Sequence, residues 1–216
     1  MARTDRRPRR RLDPDSRRTA ILKAAAAAFA AHPYAEVTIS SIATEACSSN
    51  ALVYRYFANK EDLYAEVVRV AIADLLTRQA DALDALPDGV PVRDRIRAAT
   101  TVYLDHIAMH PDAWAMPLRR PGGEPAAVAE LRTQTRRDYV KRLQDLLAPS
   151  TQARHDYALW GYFGFIDAAA LRWVDNGCPE EDRWALIDAA LGALEGALGD
   201  WAAVPVLVLQ QVVDHD

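Results

Sequence analysis

The 216-residue chain is predicted to be all-α, with an N-terminal three-helix head of helix-turn-helix type and a larger helical body behind it. Three observations carry that prediction. Apolar residues recur at helical spacing, first in Ile21, Ala25, Ala28 and Phe29, then in Ile39, Ile42, Ala43 and Ala46. Proline and glycine clusters, rather than strand-like alternation, punctuate the rest of the chain. Charge is divided unevenly as well. Residues 1–60 carry 11 Lys/Arg and 5 Asp/Glu, a net of +6, whereas residues 61–216 carry 15 and 25, a net of −10, within a total of −4.

Taken in order, residues 1–16 read as a disordered basic arm. Six arginines (Arg3, Arg6, Arg7, Arg9, Arg10, Arg11) stand there with Asp5 and with no apolar run behind them, so the arm is not a secretory signal. It is either a solvated tail or an arm that tracks phosphates or the minor groove. The head spans residues 17–63. Thr38 opens its second helix as an N-cap, and Ser48 or Ser49 opens the third. In that third helix Val53 and Phe57 stand at i and i+4, so one stripe faces inward.

The body, residues 64–216, reads as helices throughout. The fourth helix covers about 60–86 and continues from head into body until the breaker 87–91 (PDGVP). Others cover about 92–110, 112–118, 126–147, 151–176 and 179–201. The loop 119–125 (RRPGGEP), Pro149 and Asn176-Gly177-Cys178-Pro179 separate them. The apolar, β-branched tail 202–213 reads as a packed extension or a strand-like end. No apolar run is long enough to cross a bilayer, and Cys47 and Cys178 have no metal-type spacing, so the cytoplasm is the expected compartment.

The segment 17–68 resembles the DNA-binding domain of the tetracycline-repressor (TetR) family of bacterial transcription regulators. The likeness rests on Ile21-Leu22, Phe29, Thr38 followed by Ile42-Ala43, and above all on the run 53–63 (VYRYFANKEDL). It implies a recognition helix from about Ser49 to Phe57 in the major groove of a palindromic DNA operator. Chemistry then assigns roles. Asn50 suits adenine, Arg55 suits guanine, and Ala51 and Leu52 suit a thymine methyl. Tyr54, Tyr56 and Lys60 match positions that hold the phosphate backbone in the family, while Ser40 and Ser41 lie in a first turn that attracts anions. The chain departs from the family pattern at Cys47-Ser48-Ser49, where Gly-Val-Ser or Gly-Ile-Ser is usual. A cysteine in the left-handed conformation that glycine supplies costs roughly a kilocalorie per mole or more. A small buried thiol is the favoured reading of Cys47, ahead of a redox sensor. His32-Pro33-Tyr34 likewise replaces a glycine-containing loop.

The resemblance also implies a homodimer joined by the last two helices. Gly164, Ala168, Leu171, Leu191 and Leu194 are the candidate interface residues, and an intramolecular core is the competing account of the same stripes. The middle helices are expected to enclose a small-molecule effector. Tyr103, His106, Ile107, Met109, His110, Trp114 and Met116 would form one wall and Tyr139, Leu143, Trp160, Phe163 and Asp167 the other, although residue by residue the core reading is the stronger. His106 and His110 stand at i and i+4, but no Glu follows His106, so no metal and no other cofactor is expected. No nucleophile elbow or phosphate-cradling loop supports an enzyme. The expected function is a dimeric, ligand-responsive transcription repressor. Alternatives are a DNA-binding dimer without an effector, or a binding module or enzyme that retains a vestigial helix-turn-helix.

Overall fold

The computed structural model describes residues 13–147 and 152–199, so arm residues 1–12, the segment around Pro149 and the tail 202–213 lie outside the described residues. Among the described residues there are nine α-helices, one 3-10 turn and no strand. The head holds α1 (Pro14–Ala31), α2 (Ile39–Glu45) and α3 (Asn50–Tyr56), and α4 (Lys60–Asp84) runs out of it into the body. The body continues with α5 (Val92–Met109), α6 (Pro111–Arg119), α7 (Ala126–Leu146), α8 (Ala153–Asp175) and α9 (Arg183–Leu198), the last preceded by the 3-10 turn Glu180–Asp182.

Local chemistry sets the helix starts. The Asp13 carboxylate caps α1 by accepting from the amides of Asp15 and Ser16, and Pro14 follows at the first helical position. Residues 14–16 are therefore the first turn of α1 rather than the end of an arm. Thr38 and Ser41 cap α2 reciprocally, Ser49 caps α3 and Asn59 caps α4. Each such cap is worth about 1 kcal/mol.

Two cores result. The head core gathers Ile21, Ala25 and Phe29 of α1, Ile42 and Ala43 of α2, Val53 and Phe57 around α3, and Leu63, Tyr64 and Val68 of α4. It also takes Val128 of α7, which is fully buried there, and packs against Leu131 one turn on. The body core joins α5, α7, α8 and α9 through Leu104, Ile107, Leu143, Leu159, Ile166, Trp173, Ile187 and Leu191. The expected division at residue 63 therefore cuts through one of the two cores.

A polar joint reinforces this contact between head and body. Arg132 of α7 makes a two-pronged hydrogen bond to Glu124, at 2.8 and 2.9 Å, and the Tyr64 hydroxyl donates to the same carboxylate. Burial, together with that carboxylate, raises the Tyr64 phenol well above its ordinary pKa. Tyr64 also lies within an aromatic cluster with Phe29 and Tyr34, at centroid distances of 4.5 and 5.2 Å.

Candidate nucleic-acid interface

The turn between α2 and α3 has the geometry that glycine usually provides. Cys47 adopts φ +49°, the Cys47 amide donates to the Thr44 carbonyl, and the Ser48 amide reaches back to the Ala43 carbonyl at 2.8 Å. The same arrangement ends α8, where Gly177 takes the left-handed position at φ +83°. The expected departure at Cys47 is thus absorbed in backbone strain, and the closing hydrogen bonds are kept. The thiol is exposed, however, which corrects the expectation of a small buried group.

Helix α3 divides by exposure. Asn50, Ala51, Tyr54 and Arg55 are exposed on one face, Leu52 is half-buried, and Val53 is fully buried in the head core. The spacing i, i+1, i+4, i+5 makes the exposed four a contiguous surface. Tyr54 is 53% exposed although it is large and aromatic, which is the informative exception for such a residue. Tyr56 instead leans on the head core. Arg55 lies in the last turn, where the helix dipole favours a cation.

Of the remaining candidates in the head, Ser49, Ser41 and Lys60 have work inside the fold. The Ser49 hydroxyl accepts from the Leu52 amide at 3.2 Å. Ser41 is the second half of the α2 capping box, its hydroxyl donating to the Thr38 carbonyl at 2.8 Å. Ser40 is exposed. Lys60 is turned inward: its ammonium donates to the carbonyls of Tyr34 and Val37 and lies 4.2 Å from the centre of the Tyr34 ring. These bonds would have to be broken for the side chain to hold a phosphate.

In the body, part of the expected effector wall is brought together. The Trp114 indole donates to the Tyr103 hydroxyl at 2.9 Å, which donates to Asp167 at 3.1 Å, and Arg136 pairs with the other Asp167 oxygen. Arg136 also lies 5.1 Å from the Phe163 ring centre, and Phe163 contacts Tyr139 at 5.9 Å. Tyr139 donates to Gln79 at 3.0 Å, and its phenol, mainly through burial, is pushed up to about 12. Arg136 and Gln79 were not foreseen. Partnering across helices leaves no periodic trace, although Arg136 does sit one turn before Tyr139.

Other expected wall residues are elsewhere. Ile107 and Leu143 are ordinary core, while Met109 and His110 are exposed near the end of α5. Trp160 is 40% exposed on the opposite side of α8, because α8 turns its Leu159–Tyr162–Ile166 face inward. His106 is half-buried with Nδ1 unpartnered. Burial lowers its pKa, with His110 and Arg78 acting in the same direction and Asp74 opposing. Met116 lines a cavity of about 30 Å³ between α1 and α6, beside Phe29, Tyr34 and Tyr64, which is room for roughly one water. Among the described residues no group of three or more His, Cys, Asp or Glu is placed to hold a metal.

The candidate dimer residues separate into two sets. Leu191 and Leu194 are 1% and 3% exposed inside the subunit's own core, so they are not available to a partner, and Leu171 packs half-buried against that core. Gly164 and Ala168 are exposed. With Tyr157, Trp160, Gly161 and Phe165 they form the outer face of α8, and Trp184, Ala185, Ala189 and Gly192 continue it on α9.

A three-helix head closed by a helix-turn-helix, continuous through α4 with an all-helical body, defines a class of helix-turn-helix protein. Residues 21–67 match the profile of bacterial regulatory proteins of the tetR family. Over 101 residues the chain is 35% identical to an HTH-type transcriptional repressor of Streptomyces coelicolor, covering 46% of this chain and 47% of that protein. Over 97 residues it is 32% identical to the HTH-type transcriptional activator FasR of Mycolicibacterium smegmatis, covering 45% and 43%. The chain thus spans just under half the length of these curated relatives. The fold extends further: a TetR-like transcriptional regulator from a Rhodococcus species superposes with a TM-score of 0.72, over 88% of this chain and 100% of that one, at 21% identity. Its head is thus similar to the tetR family of bacterial regulatory proteins, and the whole chain shares the fold of a TetR-like regulator. No described helix is long and apolar enough to cross a membrane.

Proposed function

We propose that the protein is a homodimeric, ligand-responsive transcription regulator that reads a palindromic operator with α3 from each subunit. The observation that carries this is the outer face of α3, where Asn50, Ala51, Tyr54 and Arg55 form a surface that the head's own packing leaves uncovered. Asparagine and arginine there supply bidentate donors for adenine and guanine, and Tyr54 supplies a hydroxyl for a phosphate. A net charge of +6 over residues 1–60 draws that end of the chain toward a polyanion. The names of the relatives, one a repressor and one an activator, support a regulator, and of the two modes a repressor released by its effector is preferred.

A two-fold operator needs a two-fold protein. The outer face of α8 and α9 supports one. Large aromatics are exposed there, and Cβ atoms added at Gly161, Gly164 or Gly192 would meet nothing within 4 Å in the subunit. The subunit's own packing does not call for glycine at these positions, whereas a closely approaching second copy would. For the effector, the Tyr103–Asp167–Arg136 network and its aromatic neighbours are the favoured surroundings. The alternative of a dimer without effector is favoured by the close packing of those same side chains. No enzymatic activity is assigned, and the expected compartment is the cytoplasm.

The test is recovery of genomic DNA with the purified protein, followed by selection on a randomised version of the recovered fragment. Arg55→Ala should relax base preference at one symmetric pair of positions, at a cost of roughly 1–3 kcal/mol. Identical sequence preferences for wild type and Arg55→Ala would remove the base-reading role.

A further inference from the structure

Three N–H groups leave an ammonium, and in Lys60 three partners receive them. The Tyr34 carbonyl lies at 2.9 Å, the Val37 carbonyl at 3.0 Å, and the Tyr34 ring centre at 4.2 Å. All three belong to the loop between α1 and α2. Val37 is 3% exposed within the head core and immediately precedes Thr38, the N-cap of α2. The loop is therefore tied, one residue before the N-cap of α2, to the first residue of α4. Turning Lys60 outward to a phosphate would leave two carbonyls without their charged donor and remove a cation from an aromatic face, which opposes the gain from the new contact.

We infer that Lys60 is a positioning residue: it sets the α1–α2 loop, and through it the start of the helix-turn-helix, and it does not neutralise a DNA phosphate. This rests on the regulator reading above. Tyr34 links the clamp to the body, because its ring packs on Tyr64, whose hydroxyl is held by Glu124 in the loop before α7. The same ammonium thus fixes the loop from the head side while the body fixes it from the other.

The test compares wild type, Lys60→Met, which keeps the apolar stem without the charge, and Tyr34→Leu, which changes no charge. Each is titrated over several salt concentrations against a genomic fragment recovered with the wild-type protein and against a random duplex of equal length. Lys60→Met should lose specific affinity on the order of tenfold, the equivalent of about 1.4 kcal/mol. Its affinity for the random duplex and its salt slope should stay as in wild type. Tyr34→Leu should reproduce that pattern, and in both variants hydrogen exchange of the amides in residues 34–41 should quicken in the absence of DNA.

Equal weakening on both duplexes, with a slope shallower by about 0.9 units per head and unaltered exchange, would show a phosphate contact and overturn the inference. So would a Tyr34→Leu protein with wild-type specificity. A wild-type protein that retains no genomic fragment would sink the regulator reading instead, and the exchange comparison would then decide the clamp by itself.

Discussion

At the scale of single residues, the chain tolerates a side chain where backbone geometry favours none. Cys47 holds the left-handed position that closes α2, while Gly177 holds the equivalent one after α8. Relief of that strain, offset by the greater freedom of glycine in the unfolded chain, predicts that Cys47→Gly stabilises the protein by roughly 0.5–1 kcal/mol. An upward shift of the urea midpoint with an unchanged slope would report it, and an unchanged or lower midpoint would contradict it. His106 gives a second prediction. Its folded-state pKa is depressed, chiefly by burial, so the folded protein binds its proton less readily than the unfolded chain does. That contribution to stability is complete above the unfolded value near 6.5 and is lost as pH falls through the folded one. Melting temperature should therefore drop between pH 7.5 and 5.5, and His106→Gln should flatten the drop. The strained turn was legible in the sequence because Cys47 replaces a glycine type. The inward turn of Lys60 was not, since nothing local marks which carbonyls a flexible four-carbon stem will reach.

At the scale of helices, periodicity marked the apolar stripes of α8 and α9 but not which of their residues turn inward. Helix α8 is apolar on both sides. Leu159, Tyr162, Ile166 and Trp173 enter the subunit core, while Trp160, Gly161, Gly164 and Ala168 look outward. Only the partners α5, α6, α7 and α9 decide between them, and those are brought in by the fold. The two faces predict opposite outcomes. Leu191→Ala removes a fully packed side chain and should lower subunit stability by about 2–5 kcal/mol. Gly164→Arg should leave a folded subunit, because the space beside Gly164 is open within it, yet block association and with it operator binding. Analytical ultracentrifugation separates these, and a dimeric Gly164→Arg protein would place the interface elsewhere. The helix order and most helix ends followed from caps and breakers. Helix α4 ends at Asp84 and α7 at Leu146, close to the expected 86 and 147. Such ends were readable because Pro87 and Pro149 act locally.

At the scale of the whole molecule, the charge asymmetry makes a prediction that depends on no particular side-chain geometry. Removing residues 1–11 takes away six arginines and one aspartate. DNA affinity should fall and its salt dependence flatten, by about 0.9 units for each phosphate that the arm no longer neutralises, while dimerisation and melting temperature stay close to wild type. An unchanged slope would reduce the arm to a bystander. The exposed face of α3 was legible in advance for a related reason, since polar and aromatic groups at helical spacing have few other uses there. The joint between head and body was hidden. Glu124 and Arg132 read as part of a charged loop and a charged helix, and only the folded chain shows that Tyr64 waits between them.

Val128 has an implication for how such proteins can be rearranged. Carried by α7, three helices beyond α4, it is fully buried within the head core. The 47 residues matched by the family profile therefore do not contain the whole of the head core. A chimera that transplants residues 13–68 onto a foreign body would carry the reading surface intact and a hole beneath it. It would regain a well-packed head only if the new body offered an aliphatic side chain at the same depth. Exchange of heads between chains of this fold is then limited by a packing match at one helix, and swaps that carry the α7 segment along with the head should succeed where cleaner cuts fail.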